Sequence, residues 1–182
     1  MLTCHLLAFT IVWGSVRITG TAAYGLALLA CLAVVIRCRG QRGAWALITG
    51  VFFLMLIDTV WNIRHELSPV FSGFLNPEQY AQRRSVQYAV LVAGLLGWGL
   101  TTALIIRKAK HRPTRLAVTG ASLALACSFA SLISYHHLDA ITYASLGPLP
   151  LIAWLWCLAS LLAIGGAALK LKTSEDKNGS AA

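Results

Sequence analysis

The sequence predicts an all-α protein, a polytopic bundle of transmembrane helices with five spans, or six if Leu2–Val16 also crosses. Three observations predict it. Of 182 residues, 58% are hydrophobic and 12% charged, whereas globular domains run near 45–50% apolar and about 25% charged. The mean hydropathy is +0.71, which argues against a soluble enzyme with a water-facing surface. The apolar residues are gathered into five segments of about 20 residues, the length that crosses roughly 30 Å of hydrocarbon as helix. Finally, the basic residues alternate between connections, as membrane topology requires. The same composition excludes disordered, collagen-like and disulfide-scaffold chains.

Residues 1–17 form an apolar N-terminal segment. It is short and has no basic stretch before it, so a cleaved signal peptide is not expected. It either lies along the outer interface or makes a short extra span that turns at Arg17–Gly20. The transmembrane domain is expected over 18–171. Its spans are Ile18–Ile36, Ala44–Ile63, Val86–Ile106, Leu116–Tyr135 and Leu149–Leu169. Segments this long must satisfy their own backbone hydrogen bonds in lipid. No alternating barrel pattern is present, so they are helices.

The loops set the orientation. Arg37, Arg39 and Arg42 follow the first span, and Arg107, Lys108, Lys110, Arg112 and Arg115 follow the third. Lys170, Lys172 and Lys177 follow the fifth, while Arg17, Arg64, Arg83 and Arg84 fall on the opposite side. The positive-inside rule makes the larger group cytoplasmic. It predicts a C-terminus inside and an N-terminus outside, and the compactness of the chain with no organelle signal in the sequence leads us to expect the plasma (inner) membrane. The net charge of +9 is therefore mostly a topology signal. Nucleic-acid binding would need a basic face on a soluble domain with stacking groups, which is absent from the sequence. The Arg107–Arg115 cluster suits anionic lipid headgroups instead.

The long outer loop Arg64–Ser85 contains Asn76-Pro77-Glu78, an N-cap, a first-turn proline and a first-turn acid, so the third helix is expected to begin there. Ser68-Pro69 and Ser72-Gly73 read as turns. Residues 172–182 are polar and small, and are expected to be a disordered cytoplasmic tail.

Helix packing in lipid relies on small residues that let backbones approach. Ala159, Ala163 and Ala167 provide such a stripe in the fifth span, and Gly94, Gly97 and Gly99 are candidates in the third. The face Ala121–Ala124–Ser128–Ser131–Tyr135 of the fourth span is expected to point into the bundle, with a Ser-lined lipid or quinone groove as the alternative use of that face. Trp13, Trp61, Trp154 and Trp156 at one boundary and Trp45 at the other read as interfacial belts, with Trp98 in the core. Cys4, Cys31, Cys38, Cys127 and Cys157 form no CxxC, so a cysteine-based redox or zinc site is not supported.

One constellation carries chemistry. Charge inside a membrane is expensive and is a functional candidate by default. Helical periodicity places Asp58, Asn62 and His65 on one stripe with Glu66 adjacent, and the fourth span ends in Ser134-Tyr135-His136-His137-Leu138-Asp139. The candidate metal cluster is thus Asp58, His65, Glu66, His136, His137 and Asp139. This mixed N/O donor set suits a divalent transition metal, with Asn62 or Ser134 orienting ligands. Haem b held by His65 with His136 or His137 ranks lower, because the histidines lie near the surface. The competing explanation is purely structural: a boundary is where such groups cost least, and Asp58 can pair with Arg17 or Arg64. His-His-x-Asp has no characteristic ligand spacing.

Three functions follow. The favoured one is a small integral membrane subunit or accessory protein without catalysis of its own, with lipids and a larger membrane complex or a homo-oligomer as partners. The next is a metal- or haem-binding membrane protein. The last is an enzyme acting on a lipid-linked substrate at the outer face, where a His–carboxylate pair would be the base and Arg83 and Arg84 would hold a phosphate. No nucleophile elbow or P-loop accompanies it. A transporter is also considered, but the spans lack paired broken helices.

Overall fold

The computed structural model describes residues 2–38, 42–61, 63, 80–109, 111–133 and 141–179, without the side chains of 2–13, 80–87, 90, 132–133 and 177–179. Five helices make up nearly all of it. They are α1 (Leu2–Arg37), α2 (Arg42–Trp61), α3 (Tyr80–Lys108), α4 (Arg112–Ile133) and α5 (Leu151–Gly179). A short antiparallel hairpin precedes α5, with β1 (Ser145–Leu146) paired to β2 (Leu149–Pro150).

Four helices contain a stretch long and apolar enough to cross a membrane: Gly14–Arg37 in α1, Arg42–Trp61 in α2, Leu91–Lys108 in α3 and Leu151–Asp176 in α5. Among the described residues α4 is not in that set. Thr114, Arg115, Thr119, Gly120, Ser122, Ser128 and Ser131 interrupt its apolar residues. Polar side chains in the helices are dealt with locally. Thr49, Thr59 and Ser131 each return a hydrogen bond of 2.7–2.8 Å to the carbonyl four residues back. That satisfies the hydroxyl without a partner helix.

Two expected boundaries move. A turn at Arg17–Gly20, needed for a sixth span, is not there, because α1 runs unbroken through it. No proline interrupts Leu2–Arg37, the Thr19 hydroxyl bonds the Ser15 carbonyl at 2.8 Å, and Gly20 is a packing glycine rather than a hinge. At the other end, α5 continues through the expected disordered tail to Gly179. Thr173 bonds back to the Leu169 carbonyl at 2.9 Å, which keeps the helix regular past Lys172. The expected start of the third helix at Asn76-Pro77-Glu78 lies outside the described residues.

The tightest packing is between α4 and α5. Ala117, Ala124, Ala159, Ala163 and Ala167 are fully buried. A Cβ on Gly120 would strike the Ala159 carbonyl oxygen and come within 3.0 Å of the Ala163 nitrogen; one on Gly166 would lie 2.5 Å from the Pro113 oxygen. The two helices therefore run antiparallel with backbones in direct apposition, which only residues without side-chain bulk allow. Pro113 does no harm in the first turn of α4, where the missing N–H would have no intrahelical acceptor.

Around this pair, α1 packs on α2 and α5, and α2 also touches α4. Tyr24 of α1 is at the centre, with ring centroids 6.1 Å from Phe52 and 5.9 Å from Trp156. The indole of Trp156 covers Gly20, where an added Cβ would be 2.8 Å from the ring. Trp45 and Trp156 are therefore core residues, not members of an interfacial belt: both are buried. Their place near helix ends resembles a belt, but their side chains turn toward neighbouring helices. Trp61 and Trp154 are exposed, as a belt requires. Helix α3 stands apart and packs chiefly on α4.

Candidate functional site

Asp58 is in the last turn of α2 and is buried, with 8% of its surface exposed. Neighbouring groups fix that turn. Thr59, a step of about 100° round the helix, is buried toward α1 and bonds the Met55 carbonyl at 2.8 Å. Its methyl lies 3.0 Å from where a Gly20 Cβ would be. Arg17 donates from α1 to the Val60 carbonyl at 2.5 Å, filling one of the acceptors that a helix C-terminus leaves open. With Thr59 held against α1, Asp58 is turned toward α3 and α4.

There it lines a cleft of about 470 Å³. One wall is α2, with Leu54, Met55, Ile57 and Asp58, together with Ile63 just beyond its end; the other is α3, with Gly94 and Trp98. The floor is α4, with Leu125, Ser128 and Phe129. A Cβ on Gly94 would come within 2.6 Å of the Phe129 ring, so this glycine lets the ring slide under α3. One turn further along, the Trp98 indole N–H donates to the Ser122 hydroxyl oxygen at 2.9 Å, and Ser122 shares a second hydrogen bond of 2.6 Å with Thr102. Gly94, Trp98 and Thr102 thus form the face by which α3 holds α4.

Of the six residues expected to hold a metal, only Asp58 is described. His65, Glu66, His136, His137 and Asp139, with Asn62 and Ser134, lie outside the described residues. Among the described residues, no three His, Cys, Asp or Glu side chains come close enough to hold an ion. The expected inward face of α4 is partly right. Ala121 and Ala124 are buried, but the interior continues through Ala117, Gly120 and Cys127. Ser128 and Ser131 are half-buried at its margin, and Tyr135 lies outside the described residues. Of the glycines expected to pack in the third span, Gly94 does, while a Cβ added at Gly97 or Gly99 would have nothing within 4 Å.

Sequence reasoning missed the cleft and the Trp98–Ser122–Thr102 network. Trp98 is not a core residue: it stands 38% exposed on the cleft wall. The available signal was the spacing of Gly94, Trp98 and Thr102, four residues apart on a helix that otherwise shows few polar side chains in its span. The hairpin before α5 was also missed, although Gly147-Pro148 marks a turn. Gly147 takes φ +72°, and the Trp154 indole then donates to the Leu146 carbonyl at 3.0 Å. Comparison with protein-family models, curated proteins and solved structures finds no match to this chain.

Proposed function

We propose that the chain is a small integral membrane subunit or accessory protein without catalysis of its own, crossing the plasma (inner) membrane five times with its C-terminus in the cytoplasm. The supporting observation is the surface of α3. Only 6% of its membrane-length stretch is buried, against 44% for α5. About 100° round the helix from the face that holds α4, Ala93, Gly97 and Thr101 recur every four residues, and all three are exposed. The same kind of stripe on α5, Ala159–Ala163–Ala167, is fully buried against α4. In lipid, small residues at this spacing let helices meet backbone to backbone. An unused stripe on the most exposed helix is a seat for a helix of a larger membrane complex or of a second copy.

The five-span reading counts α4 as a span, since it is enclosed by α2, α3 and α5 and must lie at their depth. The basic residues Arg37, Arg42, Arg107, Lys108 and Arg112 stand at the helix ends that the sequence assigns to the cytoplasm, and Lys170 and Lys172 lie in the C-terminal third of α5, which supports that orientation.

The test is the mass of the protein extracted in mild detergent, with wild type compared to Gly97→Ile. Wild type is expected to run as a defined assembly with a stoichiometric partner, and Gly97→Ile as the isolated, still folded chain. A wild-type protein that is monomeric and alone, with Gly97→Ile indistinguishable from it, overturns the proposal.

A further inference from the structure

We propose that the connection between α3 and α4 is a seat for the phosphate of an anionic phospholipid, with the Arg115 guanidinium as the fork that grips it. The inference rests on α3 and α4 lying in a bilayer and is independent of any partner of α3.

The connection is short, and Arg115 holds it closed. Helix α3 ends at Lys108 and α4 begins at Arg112. The Ala109 N–H continues the helical pattern to the Ile105 carbonyl at 2.9 Å, and the Arg115 N–H bonds the His111 carbonyl at 3.1 Å. The Arg115 side chain then reaches back, its Nε donating to the Ala109 carbonyl at 2.7 Å. That bond restrains the guanidinium and fills an acceptor left open at the end of α3. A guanidinium has five N–H donors, and this contact uses the one on Nε. The Nη groups make no hydrogen bond to a described residue, and Arg115 is exposed. An arginine already held through Nε presents its terminal edge as a preformed fork, which matches two oxygens of a phosphate. Less side-chain freedom is then lost on binding.

Charge and depth select the kind of phosphate. Arg107, Lys108 and Arg112 stand around the same connection and are exposed. Among the described residues none of the four cations makes an ion pair. Of the six acids in the sequence, only Glu175 and Asp176 fall toward this end of the bundle, and both are near the end of α5. A head group with net negative charge is attracted here, whereas the ammonium of a zwitterionic head would be brought beside like charges. The membrane-length stretch of α3 ends at Lys108, so the fork is at headgroup level, where basic residues meet anionic lipid rather than a soluble anion. A basic stretch alone gives a diffuse attraction; the bond from Nε to Ala109 gives one residue in it a fixed geometry.

The test is native mass spectrometry of the delipidated full chain released from maltoside micelles, with phosphatidylglycerol or chain-matched phosphatidylcholine added. Wild type is expected to bind a first phosphatidylglycerol at least about tenfold tighter than phosphatidylcholine. Arg115→Lys keeps the charge but loses the fork, and should lower that preference at least about fivefold while phosphatidylcholine binding stays unchanged. Lys172→Gln removes an exposed, screened charge at the same end and should leave the preference within about twofold. Equal binding of the two lipids by wild type overturns the proposal without needing any variant to fold. A preference unchanged in Arg115→Lys, or lost equally in Lys172→Gln, overturns the role of the fork. So does equal weakening of both lipids in Arg115→Lys, which marks a loosened turn. Displacement of phosphatidylglycerol by millimolar inorganic phosphate assigns the fork to a soluble anion and overturns the lipid. A chain that stays dispersed without detergent overturns the membrane reading beneath it.

Discussion

Helices α3 and α5 both pack against α4, and they do so by opposite means. On the α5 side the contact is made by what is missing: Gly120 and Gly166 put backbone against backbone, with fully buried alanines filling the flanks. On the α3 side the contact is made by what is present, a phenyl ring under Gly94 and an indole and two hydroxyls around Ser122. The difference shows what holds a helix in a medium with no hydrophobic drive between apolar surfaces. Close approach sums many small dispersion terms over a long seam and leaves no freedom. A few side-chain contacts hold a helix at one register but leave room beside it, and that room is the cleft.

The contrast predicts an order of sensitivity. Gly120→Leu should have the largest effect, because its side chain would meet the Ala159 carbonyl oxygen and the Ala163 nitrogen, neither of which can move independently of α5. A loss of about 3 kcal/mol or more is expected, at or beyond the upper end of overpacking effects, read as reversible unfolding in mixed micelles. A mild effect would mean that α5 slides freely on α4 and that the seam is not rigid.

Gly94→Ala should cost less, about 1–2 kcal/mol. The obstacle there is the Phe129 ring edge at 2.6 Å, and a ring can tilt into the neighbouring cleft. The same measurement on Gly94→Ala and Gly120→Ala is the sharpest comparison; equal losses would erase the distinction between the two faces. The smallest effect belongs to Ser122→Ala. It removes the oxygen shared by Trp98 and Thr102, and hydrogen bonds between membrane helices are worth roughly 0.6–2 kcal/mol. Faster amide exchange confined to α3 is expected, with α4 and α5 unchanged. Equal loosening of α5 would show that the two attachments are not separable.

The sequence made the α4–α5 seam readable because a stripe of alanines at four-residue spacing has few uses in lipid apart from close packing, and Ala159, Ala163 and Ala167 are all fully buried. Asp58 was readable for a related reason, since a carboxylate inside an apolar segment requires an explanation. Trp45 and Trp156 were misplaced because sequence gives the depth of a tryptophan but not its direction; a ring near a helix end faces either headgroups or core. The cleft was invisible because no local pattern encodes it. It arises from how far α2 and α3 stand apart on α4, a property of three helices together. The helical continuation of α5 past Lys172 was lost to composition, where Ser, Glu, Asp and Asn suggest disorder although the preceding helix can carry them.

The covering of Gly20 by Trp156 has a consequence for how the protein is made. The first of the five helices is covered at Gly20 partly by Thr59 of α2 and partly by Trp156 of α5, so α1 keeps one side of that glycine open while the intervening helices are synthesised and inserted. Tyr24 can meet Phe52 of α2 early, but only when α5 arrives does Trp156 close over Tyr24. Completion of the core is therefore a late event in biogenesis, and a chain that stops before α5 leaves the Trp156 side of Gly20 and Tyr24 uncovered.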